Sequence, residues 1–75
     1  MQIDGVEVHE VDSSNLELIG YDTSEMILVV QFRNGSAYRY FNVPEYLYDG
    51  LCSAPSLGSF FHHNIRNSYN FERIY

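Results

Sequence analysis

Residues 28–40 read LVVQFRNGSAYRY, and the way the chain turns inside that stretch decides the fold. Two runs of β-branched and aromatic residues flank Asn34-Gly35, and an Asn-Gly dipeptide between such runs is a strong short-range signal for a β-hairpin. Side chains alternate between faces along a strand, so the length of the turn fixes which residues share a face. A two-residue Asn34-Gly35 turn sets Val30 opposite Arg39 and Gln31 opposite Tyr38, which mixes polar and apolar groups on both faces. A three-residue Arg33-Asn34-Gly35 loop with Gly35 left-handed instead sets Val30 opposite Tyr38 and Leu28 opposite Tyr40. That register sorts Leu28, Val30, Phe32, Tyr38 and Tyr40 onto one face, and Ile27, Val29, Gln31, Ala37, Arg39 and Phe41 onto the other. A slip of one residue exchanges the faces, so the better-sorted register is the expected one.

Outward from the hairpin, Leu16–Tyr21 (LELIGY) reads as a strand, and Asp22-Thr23-Ser24 supply a polar turn into a second strand over Met26–Phe32. Ser36–Asn42 forms the third. An earlier strand over Val6–Val11 has little apolar surface to bury, because Glu7, His9 and Glu10 interrupt it. After Val43 the period changes. Pro44 suits the first turn of a helix, and Leu47 and Leu51 recur at helical spacing, which predicts a helix over Pro44–Cys52 weakened by Gly50. Ser56 can cap a second helix, whose Leu57, Phe60, Phe61 and Ile65 form an apolar stripe for the sheet. Gly58 inside that helix points to a close approach by another element. The tail NFERIY reads as a short strand or as a strap of Phe71 and Ile74 over the core. The expected fold is therefore α+β, a three-stranded antiparallel meander packed against two C-terminal helices, in one domain spanning residues 1–75.

Seventy-five residues with 45% hydrophobic and 16% aromatic content suffice for a small core, and exceed what a disordered chain carries. The single cysteine, Cys52, excludes an internal disulfide and a Cys-rich zinc site, which fits a reducing cytoplasm. Without a signal-like N-terminus or a long apolar run, the expectation is a cytoplasmic protein with no membrane partner. Charge is uneven. Residues 1–25 hold seven of the ten carboxylates and no Arg or Lys, whereas residues 26–75 set four arginines against Glu45, Asp49 and Glu72. Arginine suits planar stacking and bidentate phosphate contact, so a polarised molecule can keep one anion-tolerant surface despite a net charge of −6.

Tyr38-Arg39-Tyr40 resembles a stacking strip for single-stranded nucleic acid, but alternation divides it. Tyr38 and Tyr40 fall on the face the helix stripe covers, where each ring is needed in the core and serves stacking only if it is left open. Arg39, Gln31 and Phe41, with Arg33 near the turn and Arg66 beyond the second helix, are the candidate contacts for a nucleic acid or a protein partner. No catalytic, cofactor or metal site is expected. Adjacent His62 and His63 diverge by about 100° on a helix and are poorly placed to share a metal, unlike an i, i+4 pair. Cys52, Asp49 and His62 have no local arrangement that makes a nucleophile and base, and Cys52 is expected as a small buried hydrophobe.

The succession SSNLELIGYD, LVVQFRNGSAYRY and NVPEYLYDGLCSAPSLGSFFHHNIRNSY resembles the KTSC domain, over roughly Val11–Tyr69. The residues carrying the resemblance are Ser13-Ser14, Gly20-Tyr21-Asp22, alternating Leu28, Val30 and Phe32, Gly35, Tyr38 and Tyr40, Val43-Pro44, Ser56 with Gly58, and Phe60-Phe61. The family occurs at the C-terminus of some lysyl-tRNA synthetases and as stand-alone bacterial proteins. That context implies weak binding of single-stranded RNA. The aromatic, lysine-free composition equally suits a protein-interaction module working through the outer sheet face or a strand edge, with a second copy of itself as one partner.

Overall fold

The hairpin adopts the three-residue register. In a computed structural model describing residues 1–75, Val30 pairs with Tyr38 and Leu28 with Tyr40. The Phe32 amide donates to the Ser36 carbonyl at 2.9 Å, and Gly35, at φ +94°, donates back to the Phe32 carbonyl at 2.9 Å. A left-handed residue is required there, and glycine reaches it without a Cβ penalty.

Six strands, not three, make the sheet: β1 (Gln2–Ile3), β2 (Val6–Glu10), β3 (Leu16–Asp22), β4 (Ile27–Phe32), β5 (Ala37–Tyr40) and β6 (Phe71–Arg73). They lie in sequence order, every neighbouring pair antiparallel. Helices α1 (Glu45–Ser53) and α2 (Leu57–Asn64) sit between β5 and β6, so they are not C-terminal. Residues 16–40 form the expected meander, and the correction is at both ends. At the N-terminus, Asp4 and Gly5 both take positive φ, 54° and 81°, and make a two-residue turn pairing Ile3 with Val6. That is the geometry an Asp-Gly hairpin favours. The carboxylates that made β2 look unpromising point to solvent, while Val6 and Val8 are buried. At the other end β6 has three exposed residues, and its pairing with β5 defines it as a strand.

The sheet buries both faces. On one, Leu51, Phe61 and Ile65 of the helical region close over Leu16, Ile19, Leu28, Val30, Tyr40 and Val43. On the other, the β1–β2 hairpin curls back so that Ile3, Val6 and Val8 cover Leu18 and Val29. Two local features permit the curl. A bulge between Leu16 and Leu18 turns Leu16 and Ile19 towards the helices and Leu18 away from them. At Gly20, a Cβ would lie 2.1 Å from the Glu7 carbonyl oxygen, so only glycine lets β2 cross so close.

The helices dock by side chains the sequence already marked. Ser56 Oγ caps α2 by accepting from the Ser59 amide at 3.3 Å. Gly50 admits the Phe60 ring, which would stand 2.7 Å from a Cβ there, so the residue that weakens α1 is what lets α2 pack on it. Tyr21 stacks on Tyr48 with centroids 5.2 Å apart and donates its hydroxyl to the Val43 carbonyl, tying the start of α1 to β3. Cys52, expected inside, is exposed. No helix is long and apolar enough to cross a membrane.

Candidate functional site

Where β5 leaves the cover of the helices, five aromatic rings form a closed circuit. Phe32 meets Tyr38, Tyr38 meets Phe71, Phe71 meets Tyr40, Tyr40 meets Phe61 and Phe61 returns to Phe32, with centroids 5.3–5.8 Å apart. All but one of these contacts are edge to face, the arrangement that ring quadrupoles favour. Tyr40 and Phe61 are buried, Phe32 and Tyr38 are half-buried, and Phe71 on β6 is 55% exposed. The circuit floors a groove of about 720 Å³ between the β4–β5 hairpin and α2.

The groove's polar groups share one electrostatic character. Arg33, His62 and Arg66 line it, with the amides of Asn15, Asn34 and Asn67, and not one of the chain's ten carboxylates does. Arg33 is held in place: its Nε donates to the Ser13 carbonyl at 2.6 Å and its Nη2 to the Val11 carbonyl at 3.4 Å. Arg66 is exposed and has no ion-pair partner. Burial raises the Tyr40 hydroxyl above its ordinary pKa, and the Arg66 guanidinium opposes that shift. At the wall, a Cβ on Gly58 would approach the Asn15 amide nitrogen to 3.0 Å, so Asn15 packs close against α2 there. This is the close approach that Gly58 signalled.

The opposite face has the reverse character. Arg39 does point away from Tyr38 and Tyr40, as alternation requires, but the curled hairpin brings Asp4 onto its Nη1, and Glu72 of β6 takes Nε and Nη2 at 2.9 and 2.8 Å. Only 26% of its side chain remains exposed. Gln31 lies on a second hollow of about 580 Å³ that contains Glu10 and Glu17; it donates to Glu17 at 3.3 Å and accepts from the Tyr75 hydroxyl at 2.9 Å. Phe41 is half-buried and lines neither hollow. Of the residues singled out in the sequence, the groove gathers Arg33, Arg66, Tyr38 and Tyr40, and leaves Arg39, Gln31 and Phe41 elsewhere. It adds Phe32, Phe61, Phe71, His62 and Asn15. The signal for Phe71 was in the tail: a strand there pairing with β5 sets Phe71 beside Tyr40.

His62 and His63 touch edge to face at 5.2 Å, both exposed, and no three His, Cys, Asp or Glu residues cluster as metal ligands would. The Tyr48 hydroxyl is pushed above its ordinary range by burial and by its hydrogen bond with Cys52.

Comparison with known proteins adds a family. The KTSC domain matches residues 12–69. A protein of Tsukamurella paurometabola is 44% identical over 50 residues, covering 67% of this chain and 75% of that protein. A lysine–tRNA ligase of Trichormus variabilis is 35% identical over 54 residues, which is 72% of this chain but 10% of the ligase. The crystal structure of a KTSC domain protein from Yersinia pestis superposes with a TM-score of 0.89 at 35% identity, covering 93% of this chain and 99% of that one.

Proposed function

This chain belongs to the KTSC domain family, and from that premise we propose that it is a small non-catalytic module that binds single-stranded RNA in its aromatic groove. The observation that carries the reading is the absence of carboxylates from a groove that holds two of the four arginines and an accessible aromatic floor, in a chain with ten acidic residues. Nucleic-acid bases stack on such rings irrespective of sequence, at about 1–3 kcal/mol per base, and arginine guanidinium groups match phosphate geometry. The relatives named lysine–tRNA ligases support an RNA as the ligand class. Binding is weak, because the acidic hairpin and the net charge of −6 repel a polyanion at long range.

A titration of the protein with single-stranded RNA at low salt, followed by amide chemical shifts, tests this. Shifts are expected at Tyr38, Arg66 and Phe71. At ~0.01 M ionic strength the screening length is about 30 Å, so electrostatic attraction is near its strongest. Unmoved groove amides under those conditions refute the RNA reading.

A protein partner is the second reading, and β6 favours it. The strand is hydrogen-bonded on one side only, and alternation leaves the backbone groups of Phe71 and Arg73 facing away from β5. Such an edge can accept a further strand, including β6 of a second copy. Sedimentation that depends on protein concentration, without RNA, identifies this case.

A further inference from the structure

The shape of the groove limits what it can hold. Tyr40 and Phe61 are only 4% and 3% exposed and offer no free face. Phe32 is half-buried between Tyr38 and Phe61. Tyr38, half-buried, and Phe71, 55% exposed, meet edge to face at the mouth of the groove, with centroids 5.8 Å apart and planes at 70°. A stacked base needs about 3.5 Å of clearance from a ring face. Two bases, one against each inner face of a nearly right-angled corner, would therefore intersect. The groove is also short: from Ser36 at the hairpin tip to Tyr40 is four strand steps, roughly 14 Å at about 3.4 Å each. Arg33 stands in the hairpin turn and Arg66 two residues beyond the end of α2, so the two arginines line the groove from its two walls.

We propose that the groove captures one unpaired base in the corner between Tyr38 and Phe71, with the phosphates on either side of it held by Arg33 and Arg66. This rests on the RNA reading and adds its footprint: three nucleotides, of which the middle one is read. The Arg33 fork, fixed by the Ser13 and Val11 carbonyls, is pre-organised, so little side-chain freedom is lost when its remaining donors meet a phosphate. A base paired within a duplex cannot enter, since its faces are occupied by its neighbours in the stack.

Length separates this from a groove that tracks a longer strand. The probes are adenosine, ApApA, and hexa- and dodeca-adenylate, each titrated against the intact chain at one low salt concentration. ApApA should bind at least about tenfold more tightly than adenosine, because only its central base has phosphates on both sides. The hexamer and dodecamer should gain further only by their number of internal bases, about fourfold and tenfold over the trimer. Arg33→Gln and Arg66→Gln should each weaken ApApA while leaving adenosine unchanged. A hexamer about a hundredfold tighter than the trimer overturns the footprint and leaves the RNA reading standing. Equal affinity for adenosine and ApApA overturns the phosphate contacts in the same way. If no oligomer binds, both the footprint and the RNA reading fail.

Discussion

Phe71→Leu isolates stacking from folding. Phe71 is 55% exposed, so a little under half of the 150–250 Å² that an aromatic side chain can bury is covered, roughly 70–110 Å². At about 25 cal/mol per Å² alanine would forfeit about 2–3 kcal/mol, a large part of a stability that for a chain of this size is on the order of 4–11 kcal/mol. Leucine keeps most of the apolar contact with Tyr38 and Tyr40 and removes the flat π-face, so the expected destabilisation is about 1 kcal/mol and the variant stays folded. Affinity for single-stranded RNA should fall by the worth of one stacked base, about 1–3 kcal/mol, or roughly 5- to 150-fold. Thermal unfolding establishes that the variant is folded, and fluorescence anisotropy with a labelled oligoadenylate reads the affinity. A folded variant that binds within twofold of the parent shows that Phe71 packs the sheet edge and receives no base.

Four other outcomes follow from the same geometry. With two arginines on phosphate, log affinity should fall against log salt with a slope no steeper than about −1.4, and Arg66→Gln should flatten it by about 0.7; a parent slope near −3 would show that the other arginines take part. Arg39→Met should leave RNA affinity within twofold, since Asp4 and Glu72 already occupy the guanidinium, and a tenfold loss would return the contact to the outer face. Gly20→Ala forces a Cβ against the Glu7 carbonyl and should cost about 1–3 kcal/mol, seen as a drop in Tm of at least about 4 °C, with the β1–β2 amides losing exchange protection first. Hydrogen bonding from Ser24, then from the Glu25 amide, lowers the Asp22 carboxyl below its ordinary 3.8. Its stabilisation is thus complete above that value and is lost as pH falls through the lowered one. Carboxyl NMR should place its midpoint under 3.8, and Asp22→Asn should remove this part of the acid sensitivity.

Local chemistry made much of the fold legible. Asn34-Gly35 gave the hairpin, and face sorting gave its register, because a slip would have put Arg39 in the core and Tyr40 outside. The change of period after Val43 and the Ser56 cap gave both helices. Asp4-Gly5 carried an equally strong turn signal, and its hairpin was obscured by Glu7 and Glu10, which lie on a solvent face the sequence cannot identify without knowing what Val6 and Val8 cover. Strand β6 has no burial pattern of its own, and its existence depends on β5 being there to pair with.

The candidate site divides along the same line. Alternation together with the hairpin register determined that Tyr38 and Tyr40 face the helices while Arg39 faces away, and residue order determined that all four arginines lie beyond residue 25. Only the tertiary structure decided that the curled β1–β2 hairpin covers part of the outward face and sets Asp4 on Arg39. It also decided that the helix-facing side stays open along β5, where α2 ends and β6 brings in Phe71. The reason is that exposure depends on what packs across from a residue. Asp4 and Arg39, like Phe71 and Tyr40, are more than thirty positions apart in the chain, and no local pattern reports on such a pair.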